Sequence, residues 1–359
     1  MRRALEIARR GRGRVEPNPM VGCVIVRGGR IIGQGYHHRF GGPHAEVEAI
    51  RAARGNVRGA TFYVTLEPCC YHGKTPPCTA ALIAAGAARV VAAMRDPNPR
   101  VAGKGLRALR AAGIRAEVGL LEEEAAALNA PFIKLMRKKR PWVIAKWAQS
   151  LDGKIATRTG DSKWISDATA RRHAHATRGR VDAIVVGVNT VLADDPQLTC
   201  RDAPLRRVAA RVVLDSHLRI PLTAGLVKTA HQIPTWIFHA AAAPPRKITS
   251  LLRAGCILKG VPASGRGLKP DSVLKKLAAA GMANVLIEGG GSVLGHWLDA
   301  GAIDEIQVYV APVLIGGRQA VSALAGVGPR LVTNAVRLPA DPEFVRLGDG
   351  WFLNCRLHD

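Results

Sequence analysis

His44-Ala45-Glu46, Glu67-Pro68-Cys69 and Pro76-Pro77-Cys78 decide how this chain is read, because each falls where a strand meets a helix. Helical spacing begins at His44 and runs over 44–54. Residues 61–66 read as a strand that ends just before Glu67, and helical spacing resumes over 79–86 just after Cys78. Strands that alternate with helices in this way predict an α/β layered domain. Working outward, 21–26 reads as a buried strand, Gly28-Gly29 as a turn and 30–35 as the returning strand of a hairpin. Residues 2–10 and 103–113 read as helices and 89–94 as a strand. A helix over 122–139 closes this half, and Pro141 breaks it.

The alternation then restarts. Strands are predicted over 142–148, 183–187, 212–215, 235–239, 285–288, 305–310 and 352–357, with helices over 167–178, 270–281 and 291–300. Residues 240–268 read as rich in loops. The two halves share no motif, so the organisation expected is two different α/β domains, 1–140 and 141–359, and a length of 359 residues suits two.

Composition narrows the function classes. Apolar and charged residues stand at globular levels, which excludes a disordered tail protein and a small disulfide scaffold. The net charge of +25 is spread over both halves and attracts phosphates of any kind without choosing among them. Aromatic residues are 4% of the chain, too few for a surface of stacked rings on nucleic acid. Three of the seven cysteines, Cys69, Cys70 and Cys78, lie within ten residues and beside histidines. That clustering reads as a metal site in a reducing, cytoplasmic setting and not as a disulfide framework. No apolar run approaches the length of a membrane helix, and no secretory leader is read at the N-terminus.

The three triplets carry a definite chemistry. One histidine and two thiolates hold zinc with a fourth position open to water, whose pKa then falls to about 7. Glu46, two residues from His44, is placed to carry protons without binding the metal. His-x-Glu followed by Pro-Cys and a second Cys is the pattern of zinc nucleobase deaminases. Cys69 and Cys78 are the thiols chosen, since adjacent Cys69 and Cys70 aim apart. The competing arrangement is a closed structural zinc with Cys70 or His72 as fourth ligand.

Longer stretches extend the pattern: Pro17-Asn18-Pro19, Gly22-Cys23-Val24-Ile25-Val26, Gly35-Tyr36-His37, Gly73-Lys74-Thr75-Pro76-Pro77-Cys78 and Asp96-Pro97-Asn98-Pro99. With Lys146–Gly153, Thr190–Pro196, Leu198-Thr199, Arg201 and Val213–Ser216, they resemble the bifunctional deaminase–reductases of riboflavin biosynthesis over nearly the whole length. The resemblance implies a cytidine-deaminase-like three-layer α/β/α domain fused to a dihydrofolate-reductase-like α/β domain, with one zinc ion per chain and NADPH. It implies substrate contacts from Asn18 and Lys74 in the first half and from Ser162, Arg178, Leu198, Arg201 and Glu288 in the second. His37 is a further candidate for the first pocket. The resemblance also implies cofactor contacts from Ala148, Trp164, Thr190, Asp194, Ser216, Gly290, Gly291, Ser292, Val293, Leu294, Gly295 and His296. Arg178 and Arg201 suit a ribose phosphate, because guanidinium matches phosphate bidentately. Gly289-Gly290-Gly291 before a helix suits a cofactor phosphate. Lys146 and Asp152 are candidates for tuning proton delivery, with a purely structural role in its turn the alternative for Asp152. Two positions depart from the pattern: Tyr71 stands where the family has histidine, and Met20 where asparagine is common.

The expectation is therefore an enzyme acting on a small phosphorylated pyrimidine, without nucleic-acid or membrane partners, and forming a homo-oligomer. The alternative is a nucleic-acid base deaminase with an accessory binding domain, which the charge favours and the scarcity of aromatics opposes.

Overall fold

The computed structural model describes residues 1–339 and 342–357. The chain forms two compact units, Met1–Arg140 and Pro141–Asp359.

In the first unit the strands are β1 (Gly22–Arg27), β2 (Arg30–Tyr36), β3 (Thr61–Val64), β4 (Arg89–Ala92) and β5 (Arg115–Val118). They form one sheet in the order β2-β1-β3-β4-β5. β1 is antiparallel to both neighbours, whereas β3, β4 and β5 run parallel. The hairpin forms because Gly28 and Gly29 accept positive φ at its turn. Helix Ala45–Ala52 packs against β2 at close range: a Cβ on Gly35 would collide with the backbone nitrogen of Ala49. That approach sets His44 and Glu46 against the sheet. Helices Cys78–Ala84 and Lys104–Ala111 follow β3 and β4.

Two expectations for this half change. The single helix over 122–139 is two helices, Glu122–Leu128 and Ala130–Lys138. Pro131 lies in the first turn of the second, where its missing N–H costs least, and Asn129 at the junction bonds both backbone groups of Met20. β5 has no counterpart in the sequence reading, because four residues starting at Arg115 carry too little pattern to register.

In the second unit the strands are β6 (Trp142–Ser150), β7 (Lys154–Ala156), β8 (Ala183–Gly187), β9 (Ala210–Leu214), β10 (Thr235–His239), β11 (Ile257–Gly260), β12 (Ala263–Ser264), β13 (Gly267–Leu268), β14 (Asn284–Ile287), β15 (Glu305–Ala311), β16 (Val321–Ser322), β17 (Glu343–Leu347) and β18 (Gly350–Arg356). Nine of them build one sheet in the order β11-β10-β9-β8-β14-β6-β15-β18-β17. β11 through β15 run parallel across that order, and β18 and β17 are antiparallel additions. Its central strands are continuous apolar runs, as a parallel sheet covered on both faces requires. Val143, Val185, Val212, Val285, Ile287 and Trp297 lie at its core.

The stretch 240–268 is not mainly loop. It contains helix Pro245–Arg253 and β11. The helix buries only Leu251, and most of its residues are polar.

Two candidate active sites

The first site is assembled from three element ends. His44 caps the N-terminus of helix Ala45–Ala52 in extended conformation, and Glu46 lies buried in its first turn. Cys69 follows β3 by way of Thr65, Leu66, Glu67 and Pro68, and Cys78 opens helix Cys78–Ala84. The backbone N–H of Cys78 donates to Cys69 Sγ at 3.3 Å. His44 Nδ1 lies 3.1 Å from Cys78 Sγ and 3.5 Å from Cys69 Sγ. The three ligand atoms lie within 4.8 Å of one another, a spacing that fits one tetrahedral ion. Cys70 instead turns its thiol toward the Arg100 carbonyl, and His72 is exposed, so neither completes a closed four-ligand site.

The electrostatics suit a metal and a proton carrier. A hydrogen bond from the Cys78 thiol, seconded by one from His44, pulls the Cys69 thiol down despite its burial. The proton shared by the two thiols stays on Cys78, held there by Cys69 and by burial. Burial, with the nearby Cys69 charge, pushes the Glu46 carboxyl up. Glu46 Oε2 is buried and has no hydrogen-bond partner among the described residues. A buried carboxyl with one free oxygen beside three metal-ligating atoms is equipped to hold and release a proton.

A cavity of about 490 Å³ opens over these atoms, lined by Asn18, His37, Glu46, Lys74, Tyr71 and Asp96 among others. Asn18, His37 and Lys74 are thus brought together with the metal-ligating set. His37 is buried; its Nδ1 faces the Pro43 carbonyl at 2.9 Å and its Nε2 faces Asn18 Nδ2 at 3.2 Å. A carbonyl opposite Nδ1 demands a proton there, so Nε2 accepts from the Asn18 amide. The Lys74 ammonium rests 4.0 Å from the centre of the Phe40 ring.

Glu67, read in the sequence only as part of a triplet, supports this floor. Its carboxylate accepts from the backbone N–H groups of Asp96, Gly103, Gly105 and Leu106, at 2.8–3.2 Å. It thereby ties the Cys69 turn to the start of helix Lys104–Ala111. An acidic residue just ahead of Pro-Cys is the signal that could have found it.

The second unit centres on an ion pair. Arg178 meets Glu288 bidentately, Nε to Oε1 at 2.7 Å and Nη2 to Oε2 at 2.5 Å, with both side chains largely buried. Although burial opposes its charge, Arg178 and then Lys146 hold Glu288 down to about 2. Lys146 is half-buried in β6, and its desolvation there pulls its ammonium down. In this arrangement one edge of the Arg178 guanidinium is engaged by Glu288, and Nη1 donates to the Thr199 carbonyl at 3.1 Å. Arg201 is exposed, with Nη1 bonded to Gln197 and Thr199 of its own loop. Leu198, in the same loop, is buried at φ +51°. The Arg201 backbone N–H donates to His175 Nδ1 at 2.8 Å, a contact with no counterpart in the sequence reading. Of the two roles open to Asp152, the bonds favour the structural one: it accepts from Ser150 Oγ and from the N–H groups of Ile315 and Gly316.

A cavity of about 240 Å³ gathers Ser216, Gly290, Ser292, Val293 and His296, together with Arg219 and Arg266. Gly290 caps helix Gly291–Asp299, whose first N–H groups favour an anion. Thr190 Oγ1 lies beside Gly290. Gly291 and Gly295 serve packing: a Cβ on either would collide with backbone of the 322–326 segment. Leu294 is buried in the core. Asp194 is exposed at the end of helix Val188–Asp194. Trp164 stands apart from this group. It is exposed, lies under the Arg171 guanidinium at 4.6 Å and lines a different cavity with Asp167, Tyr309 and Trp351. Ser162 shares its loop, partly buried, and Ala148 packs toward Tyr309 and Phe352.

Comparison with known proteins agrees with both halves. Residues 141–341 match the family model described as the RibD C-terminal domain, and residues 1–94 match the cytidine and deoxycytidylate deaminase zinc-binding region. The riboflavin biosynthesis protein RibD of Bacillus amyloliquefaciens is 46% identical over 91% of this chain and 88% of its own length. That of Escherichia coli is 43% identical over 88% of each. Among solved structures, Acinetobacter baumannii RibD superposes with a TM-score of 0.86 at 36% identity, covering 99% of this chain and 97% of its own. A Thermotoga maritima diaminohydroxyphosphoribosylaminopyrimidine deaminase/5-amino-6-(5-phosphoribosylamino)uracil reductase superposes with a TM-score of 0.82 at 37% identity, over the same shares. These matches do not favour the nucleic-acid deaminase alternative. The chain belongs to the RibD family, in which a zinc-dependent deaminase and a nicotinamide-dependent reductase of riboflavin biosynthesis are joined.

Proposed function

We propose that the first unit removes the exocyclic ring amine of a 2,5-diamino-6-(5-phosphoribosylamino)pyrimidin-4-one as ammonia, and that the second reduces the ribosyl chain of the product to ribityl with NADPH. The observation that carries the first assignment is the buried, unpartnered Glu46 Oε2 beside His44 Nδ1, Cys69 Sγ and Cys78 Sγ. Those three atoms would hold zinc, which when bound makes hydroxide available near neutral pH. Glu46 takes the proton of the attacking water and delivers it to the leaving nitrogen, and its raised pKa suits both steps. Asn18 and Lys74 hold the substrate, Lys74 exchanging its seat on Phe40 for the phosphate.

In the second unit NADPH, when bound, supplies the hydride. Thr190, Ser216, Gly290, Ser292, Val293 and His296 surround its place at the start of helix Gly291–Asp299, with Ala148, Trp164 and Asp194 completing the contacts. Arg219 and Arg266 beside that cavity support a cofactor with an extra phosphate. Glu288, fixed by Arg178, accepts from sugar hydroxyls; Ser162, Leu198 and Arg201 complete the substrate side. Seven unpaired cysteines support a cytoplasmic setting. Exposed Phe344 and Val345 on the edge strand β17 support a homo-oligomer.

The test follows ammonia release and nicotinamide oxidation separately, with NADPH or NADH. Glu46→Gln lowers deamination by about 10²–10⁴-fold while zinc content and reduction of deaminated substrate are unchanged. Loss of zinc in this variant removes Glu46 from its role, and equal use of NADH removes the choice of cofactor.

A further inference from the structure

Helix Ala168–Arg178 carries His175 three residues before Arg178, so both side chains leave the same face. His175 Nδ1 accepts the backbone N–H of Arg201 at 2.8 Å, which places the ring proton on Nε2. Nε2 lies 3.3 Å from Arg178 Nη1, which is itself satisfied by the Thr199 carbonyl. One imidazole thus joins the helix that supplies Arg178 to the loop that supplies Leu198 and Arg201. The Arg201 side chain bonds within that loop, to Gln197 and Thr199. Further along, the backbone N–H groups of Arg206 and Arg207 anchor to the Gly179 carbonyl. His175 is therefore the tie at Arg201 itself.

We propose that His175 is a positioning residue of the reductase, whose Nδ1 fixes the Arg201 backbone so that the Arg201 side chain meets the phosphate of the substrate. The proposal rests on reading Arg201 as a substrate contact. The role needs a neutral imidazole, because only that form accepts at Nδ1. Burial, then the Arg178 and Arg201 cations with Lys146 behind them, hold His175 down to about 4 against the opposing Glu288 carboxylate. The ring is consequently an acceptor throughout the neutral range.

Three full-length variants test this by steady-state reduction of the deaminated substrate: His175→Leu, His175→Asn and Arg201→Ala. Leucine removes the acceptor, whereas the asparagine amide oxygen can stand where Nδ1 stood. Loss of one hydrogen bond that orders the loop should raise KM for the substrate about tenfold in His175→Leu, with kcat and NADPH affinity little changed. His175→Asn should recover most of that loss. An unchanged KM in His175→Leu, or a fall in kcat shared equally by leucine and asparagine, overturns the positioning role. If His175→Leu does not fold, KM of His175→Asn decides: near the parent value it supports the proposal, and a value as high as that of Arg201→Ala overturns it. An unchanged KM in Arg201→Ala defeats the reading of Arg201. A raised KM there, with a normal KM in His175→Leu, defeats the positioning role alone.

Discussion

Cys69 and Cys70 are neighbours with different surroundings. Cys69 lies within bonding distance of His44 and Cys78, and Cys70 faces the Arg100 carbonyl. Cys78→Ser should therefore lose zinc and deamination, whereas Cys70→Ser should retain near-stoichiometric zinc by metal analysis; the reverse pattern overturns the ligand choice. Asp96 offers a pH-dependent case at the same cavity. Burial lifts its carboxyl to about 6, with Glu67 opposing its charge and only the Asn98 N–H relieving it. A carboxyl raised on folding contributes fully below its unfolded pKa near 4, and that contribution is lost as the pH climbs through 6. With zinc chelated away, Asp96→Asn, which keeps an acceptor for Asn98, should raise stability at pH 7–8 by up to ~2–3 kcal/mol and leave it unchanged at pH 4. Equal melting shifts at both pH values would exclude the titration as the cause.

Among the elements, the helix Gly291–Asp299 separates two uses of glycine. Gly290 has room for a side chain, its nearest neighbour being Thr190 Oγ1, whereas Gly295 lies against the backbone of Gly326. Gly295→Ala should cost about 1–3 kcal/mol by overpacking. Gly290→Asp should fold normally yet bind NADPH far more weakly, because its carboxylate stands where the helix N-terminus attracts phosphate. Thermal melts and a cofactor titration separate the two, and tight NADPH binding by Gly290→Asp would remove this helix from the cofactor site. The sequence showed Gly289-Gly290-Gly291 but not this division, since the partner segment 322–326 is distant in the chain. The same limit explains other differences. His44, Glu46, Cys69 and Cys78 were legible because their junctions recur at short spacing. The Arg178–Glu288 pair spans 110 residues and His175–Arg201 spans 26, so spacing marks neither. The helix break at Asn129 depends on Met20, 109 residues earlier.

At the scale of the whole molecule, each unit carries its own sheet and its own core. The five-stranded sheet draws only on β1–β5, and the nine-stranded sheet only on strands after Pro141. The boundary was legible because Pro141 interrupts a helical run and Trp142 restarts the strand pattern. What the sequence did not show is which residues the closing helices pack on. Ala125, Leu128 and Phe132 pack with Leu5, Met20, Leu66 and Met94, inside the first unit. Ending the first fragment before those helices would expose that cluster. Ending it at Arg140 keeps the cluster whole and takes no strand from the second sheet. A chain beginning at Pro141 should therefore fold cooperatively, contain no zinc and reduce deaminated substrate with NADPH. The complementary chain ending at Arg140 should bind one zinc and release ammonia. Every residue assigned to the reductase, from Ala148 to His296, lies beyond the cut, as do the two ends of the His175–Arg201 bond. An unfolded or inactive second fragment, read by circular dichroism and NADPH oxidation at equal protein concentration, would mean that the reductase depends on the first unit for its structure.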